Sequence, residues 1–337
     1  MSTDAPAPPE TTTDEKPAAK PKASEVPADE RSLEWPETTT NPIRMRWEYV
    51  IGIPGVHILA CLAFFPLFFS WTGVALAVLG LYVFGTLGIN LCYHRLLTHQ
   101  GLVVPKWLEH IFATLGVCTM QDTPTCWVAM HRLHHKHSDN QPDPHSPLVN
   151  FLWGHCGWLM IENRDFTNLG LYERYARDVL RDRYYFWMER GMNWLWIYFA
   201  SMVVFFTGGF LAGLAITETT MQAVQFGASV MVWGVFVRTV LTWHITWSVN
   251  SVTHIWGYKN YPTRDNSRNN ILVGLWSNGE GWHNNHHADQ RAAAHGHKWW
   301  EFDVTWITIR TLELLGLARN IVRPKVWSQP DAWTTEA

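Results

Sequence analysis

Three histidine clusters concentrate the chemistry of this chain: HRLLTH with His94 and His99, HRLHH with His131, His134 and His135, and HNNHH with His283, His286 and His287. In the second and third, the i, i+3, i+4 spacing puts three imidazoles on one helical face, a natural way to offer several nitrogens to a metal centre. Adjacent histidines point about 100° apart, so they can serve two neighbouring metals. The i, i+5 spacing of His94 and His99 fits no regular α-helix; either the chain unwinds there or the two residues serve different metals. Neutral imidazole suits Fe, Zn, Cu or Ni, and ligand type alone does not choose among them. The H-E-x-x-H zinc-protease pattern is absent, and of the two E-x-x-H motifs that soluble carboxylate di-iron bundles need, only Glu280 to His283 occurs. A histidine-dominated pair of redox metals in a membrane points to O2 activation. Removing hydrogen from an unactivated methylene is beyond side-chain acid-base chemistry, and the metal must carry that step.

The elements that hold the clusters are membrane helices. The mean hydropathy of −0.10 and a formal charge of −3 describe an ordinary soluble chain, but the average hides a strongly apolar middle. Four segments reach the roughly 20 apolar residues that one crossing needs: 50–69, 73–93, 194–216 and 221–249. Arg238 lies inside the fourth, which predicts a functional or cytoplasm-facing role, with a snorkelling side chain as the alternative. Only Ser70 to Thr72 and Thr217 to Thr220 separate the paired spans, so two hairpins are expected. Lys and Arg crowd the opposite ends, at Arg44 and Arg46, from Arg95 to Arg190 and from Lys259 onward, which puts both termini and all three clusters in the cytoplasm. The short apolar run 111–120 reads as an interfacial or re-entrant helix. The architecture expected is therefore all-α: four transmembrane helices in two hairpins, with a cytoplasmic helical cap around a two-metal site. Residues 1–42, rich in Pro, Ala, Thr, Glu and Lys, read as a disordered tail, 43–325 as the membrane domain and 326–337 as a C-terminal tail. The five cysteines form no C-x-x-C pair and suggest neither disulfides nor zinc. No cleaved signal peptide and no nucleic-acid partner are expected.

Taken together, the three boxes, NSVTH (250–254), HSDNQPDPHSP, WGHCGW and GEGWHNNHH resemble the membrane fatty-acid desaturases, specifically the delta-9 acyl desaturases related to stearoyl-CoA desaturase and their bacterial members, over residues 45–325. The resemblance implies that His254 is a ninth ligand completing two iron sites and that Asn250 contributes through a water; from the residues alone, Asn250 is equally a helix C-terminal cap. It implies O2-dependent removal of one hydrogen from each of two neighbouring acyl carbons, giving a cis double bond and water. Two electrons must come from a separate ferredoxin or b-type cytochrome with its reductase, since the chain has no room for a fused haem domain and no Cys set for an iron-sulfur cluster. Tyr82, Thr246 and Trp247 match positions lining the bent acyl tunnel. Tyr82, about 18 Å deeper than His94 at 1.5 Å per residue, is expected at the tunnel's far end. His57, outside every motif, is expected to tolerate Leu.

The chain departs from the animal members immediately before the second box, where Ala129 and Met130 replace an Arg-Asp pair that holds the CoA headgroup. A methyl or thioether cannot grip phosphate as a guanidinium does. Either Arg132, Arg264 or Arg268 holds CoA, or the acyl chain is carried on membrane lipid; acyl-CoA is the expectation favoured here. The rival activities are a membrane hydroxylase of the same histidine-box superfamily, a bis-histidine haem electron carrier, whose ligands belong within facing spans, and a metal transporter, whose ligands belong near the bilayer midplane. Bacterial-type motifs favour a bacterial inner membrane over endoplasmic reticulum.

Overall fold

The computed structural model describes residues 32–164 and 169–329. It is helical, with only isolated β-bridges among the described residues. Four helices are long and apolar enough to cross a membrane: α1 (Trp47–Phe64), α2 (Trp71–Thr98), α5 (Asn193–Ile216) and α6 (Thr220–His254). Between the hairpins lie α3 (Lys106–Val117) and α4 (Pro124–His137); α7 (Ile271–Trp276), α8 (His283–Ala288) and α9 (Val304–Leu314) follow the last span.

The observed spans differ from the apolar runs at both ends. Helix α1 stops at Phe64 because Phe65 precedes Pro66 and takes the extended conformation that a following proline favours. Helices α2 and α6 instead run past the apolar stretch, to Thr98 and His254, so that the histidines are presented on continuous helix. Ser70 caps α2 by accepting from the Gly73 N–H at 2.9 Å, and Thr219 with Gln222 forms a capping box on α6.

From Leu81 to Thr98, α2 is wound as a π-helix, with the His99 N–H donating to the His94 carbonyl at 3.1 Å. This i→i+5 pattern settles the spacing problem of the first box, because a wide turn stacks residues five apart. The chain neither breaks nor splits the pair, and the two rings lie 4.8 Å apart. The same helix packs tightly on α3: a Cβ on Gly88 would fall 2.4 Å from the Gly116 nitrogen and one on Gly116 would fall 2.5 Å from the Tyr93 ring, so both positions need glycine.

Helix α3, 12 residues long, is too short to span and ends inside the bundle. Its exit carbonyls are met by donors from α6. Arg238 Nη2 donates to Cys118 O at 2.8 Å and Trp243 Nε1 to Thr119 O at 2.7 Å. Arg238 is fully buried, with its guanidinium 3.8 Å from the Phe84 ring centroid. It does not snorkel; it is a helix-end cap in the interior of the bundle.

Residues 1–31 of the expected N-terminal tail and 330–337 of the C-terminal one lie outside the described residues. From Ser32 onward the chain lies along the connecting segment: Leu33 N–H donates to Leu148 O, Thr40 N–H to Glu162 O and Arg46 N–H to Met160 O. A second tie crosses the bundle. His57 Nδ1 donates to Ile53 O at 2.7 Å, and His57 Nε2, His244 and His155 follow in a chain with nitrogens 3.0 and 3.1 Å apart, ending at Ser251. A carbonyl can only accept, so His57 carries its hydrogen on Nδ1 and accepts at Nε2 from His244. His57 is thus a partner rather than a bystander. Its replacement by Leu leaves the His244 donor, on the outer face of the bundle, without its acceptor, and it should lower stability by about 1 kcal/mol. Thermal unfolding of the purified variant checks this; an unchanged midpoint would show the chain to be idle.

Candidate metal centre

Nine histidines converge in two groups at the common end of the spans. His94, His99, His131, His135 and His286 offer nitrogens that all lie within 4.8 Å of one another, and so do His134, His254, His283 and His287. The neighbours His134 and His135 fall in different groups, and so do His286 and His287, as their angular offset on a helix requires. Each group draws on separate elements: α2, α4 and α8 build the first, and α4, α6 and α8 the second.

The nitrogens face one another at hydrogen-bonding distances: His94 Nε2 is 3.1 Å from His286 Nε2, His286 Nε2 is 2.9 Å from His135 Nε2, and His283 Nε2 is 3.0 Å from His254 Nε2. Their opposite edges show what these contacts are. Nδ1 donates to a carboxylate in His94 (Glu280, 2.6 Å), His134 (Asp143, 2.9 Å), His254 (Asp139, 2.8 Å) and His287 (Asp265, 2.7 Å). A carboxylate accepts only, so each of these rings holds a hydrogen on Nδ1 and turns its Nε2 edge inward, free to ligate wherever that nitrogen carries no proton. The Nε2 atoms of His99, His134 and His287 are buried with no hydrogen-bond partner at all. Imidazole nitrogens that converge from several rings, some of them buried without any partner, are satisfied by a cation between them, so the donor set fits a metal ion in each group.

The electrostatics agree. Burial, then neighbouring imidazoles, holds His131, His134, His135, His283 and His286 well below the usual histidine range, which keeps them neutral and able to ligate. Burial opposes the charge on Glu280, but Arg95, His295 and His94 outweigh it and hold its carboxyl well below the usual range. Arg95 is itself buried, bonded to Glu280 at 2.8 Å and to Asp303 at 2.9 Å. Burial pushes Asp143 up to about 6, so it remains an acceptor at neutral pH.

A cavity of about 590 Å³ reaches His131 and His145 from the membrane side. Thr246, Trp247 and Asn250 line it, as do Trp127, Gln121 and Trp243. Trp127 stacks on His131 with ring centroids 4.8 Å apart, and Gln121 Nε2 donates to Thr246 Oγ1 at 3.2 Å across the cavity. Asn250 is half-buried within α6, one turn ahead of His254, and so is not at the helix end as a cap. Tyr82 is not part of the lining: its hydroxyl lies 2.9 Å from Thr308 Oγ1 on α9. Arg238, Arg264 and Arg268 are also absent from it; Arg268 bonds Asn266 at 3.2 Å. The residues that motif spacing overlooked are the carboxylates Asp139, Asp143 and Asp265, with Arg95, His145 and His295. Two of the three aspartates stand in the HSDNQPDPHSP stretch, and His295 packs 4.3 Å from the His286 ring.

Two of the four membrane-length helices run into two histidine groups that could each hold a metal ion, beside an apolar cavity, as in membrane enzymes of the histidine-box kind. The sequence profile of the fatty acid desaturase family matches residues 43–306, and the chain belongs to that family. Over 278 residues it is 41% identical to the sn-1 stearoyl-lipid 9-desaturase of Synechocystis, covering 82% of this chain and 80% of the relative. It is 39% identical to the sn-2 palmitoyl-lipid 9-desaturase of Nostoc over 85% and 93% of the two chains. With the acyl-CoA C20 Delta5-desaturase of Anemone leveillei the identity is 38%, over 82% and 81%. The protein is an oxidoreductase that desaturates fatty-acyl chains.

Removing an aspartate that fixes a ring should loosen the metal without unfolding the bundle. Asp265→Asn and Asp139→Asn are expected to weaken metal binding about 10- to 100-fold, read as metal content after dialysis against a chelator. Wild-type retention in both would show that the carboxylates do not set the ligands.

Proposed function

We propose that this chain desaturates acyl chains carried on membrane lipid, inserting a cis double bond at carbon 9, with two irons held by the nine histidines and O2 as co-substrate. The observation that carries the lipid-borne substrate is the wall of the cavity. Tyr49, Gly52 and Ile53 of α1 and Leu195 and Phe199 of α5 line it together with Trp243, Thr246 and Trp247 of α6, so three membrane-length helices wall the cavity. The one arginine on its lining, Arg46, pairs with Glu48 at 3.3 Å and lies over the Tyr49 ring at 3.9 Å. That is a poor receptor for the phosphates of CoA, which call for several free cations. Arg132 is no substitute, being committed to Asp178 and to the Leu97, Thr98 and Tyr175 carbonyls. The names of the Synechocystis and Nostoc relatives support the same reading, which departs from the sequence-based preference for acyl-CoA.

Iron bound by the two groups supplies O2 activation and hydrogen removal. The chain's own residues bind, orient and keep water out. Trp127, Trp243 and Trp247 wall the cavity beside His131, and the Gln121–Thr246 bond ties the turn after α3 to α6 along its lining. The four electrons that turn O2 into two waters come two from the acyl carbons and two from outside, so a separate one-electron carrier is part of the reading. The Lys and Arg distribution supports cytoplasmic termini, in a bacterial inner membrane.

The test gives purified protein in nanodiscs, with a chemical reductant, either stearoyl phospholipid or stearoyl-CoA. Oleoyl phospholipid is the expected product. Turnover of the thioester alone, or a hydroxylated product, would overturn the proposal. Chelation should abolish turnover, with iron restoring it and zinc failing to; His135→Ala should be inactive yet still inserted.

A further inference from the structure

The five-histidine group can be approached from a second side. A cleft of about 500 Å³ that shares no lining residue with the acyl cavity is lined by His99 and His135. The acyl cavity touches the same group through His131. Substrate and solvent therefore reach this group through different histidines.

The rim of the cleft is basic and assembled from three separate parts of the chain: Arg132 and Lys136 on α4, Gln100 after α2, and Gln290 with Arg291 after α8. Lys136 also lines a neighbouring cleft that contains Arg174. The one carboxylate bonded at this rim, Asp178, is neutralised by Arg132 at 2.7 Å and also accepts from Gln100 at 2.9 Å. Lys136 and Arg291 are exposed, and neither forms an ion pair among the described residues. A chain of net charge −3 thus carries a local excess of cations around the route by which its buried imidazoles come nearest to solvent.

Resting on the desaturase reading above, the geometry points to this cleft as the docking face for a small acidic one-electron carrier, which reaches the metal group through the edges of His99 and His135. The charge pattern selects the partner. Unpaired cations spread over two adjoining clefts cover more surface than a small anion fills, and they are what steers an acidic protein onto one orientation. Electron delivery also profits from the short path, because a docked carrier needs to cross only one layer of imidazole rings. Two visits of the carrier supply the two electrons that the acyl chain does not.

Charge reversal tests this on the full-length, iron-loaded protein in nanodiscs. Lys136→Glu, Arg291→Glu and the double variant are mixed with a reduced acidic [2Fe–2S] ferredoxin, and its oxidation is followed by stopped flow from low to high salt. Dithionite serves as a reductant that needs no docking, and oleoyl lipid is measured separately. For the wild type the ferredoxin rate should fall as salt rises. The double variant should be slower by about tenfold or more at low salt, converge with the wild type at high salt, and desaturate normally with dithionite. Equal losses with both reductants would mean that the residues serve the fold, and an unchanged ferredoxin rate would mean that the carrier docks elsewhere; either result overturns the assignment. Failure of the wild type to desaturate with dithionite would instead count against the desaturase reading, since ferredoxin oxidation is read independently of product.

Discussion

Everything in this protein is arranged around imidazole nitrogens brought to face one another. The Nε2 atoms of His254 and His283 lie 3.0 Å apart in a buried site, a contact that a proton or a metal ion between them makes attractive and two bare lone pairs would make repulsive. The carboxylates enforce it, since Glu280, Asp139, Asp143 and Asp265 each pin the hydrogen of their ring on the far edge. The helices then have to bring four separate stretches of chain to one end of the bundle and hold them there. The long reach of α2 and α6 past their apolar runs follows from this demand, as does the burial of Arg95 between Glu280 and Asp303.

The same constraint explains the less regular features. A π-wound α2 is poorer in hydrogen-bond geometry than an α-helix, yet it brings His94 and His99 edge to face and lets Gly88 touch α3. Helix α3 in turn ends inside the bundle, where Arg238 and Trp243 meet its carbonyls. The turn that follows, Met120 to Asp122, becomes a wall of the acyl cavity. Metal group, short helix and cavity are therefore one packing problem.

Much of this is legible in the sequence because it rests on local pattern. Apolar run length gives the four spans, i, i+3, i+4 spacing gives the shared faces of the second and third boxes, and the offset of adjacent histidines divides them between two groups. What is not legible depends on contacts far apart in the chain. His254 comes from resemblance, since a lone histidine at a helix end has no periodicity. Nothing local couples Asp265 to His287, His57 to His244, or Tyr82 to Thr308. The winding of α2 was hidden for another reason: spacing by five reads as irregular unless the wide turn is considered. Arg238 shows the limit of reading a charge in an apolar run, because the carbonyl it meets is 120 residues away.

The two histidine groups are not equally enclosed. All four members of the His134 group are buried, whereas His99 and His135 of the other line an open cleft. Access sets the rate at which a metal ion enters or leaves a site, so the pair should fill and empty in sequence. If both groups hold a metal, the enclosed one would exchange more slowly than the one that opens on the cleft. A half-occupied population would accordingly hold its ion in the enclosed group, and depletion would begin at the group that opens to the solvent.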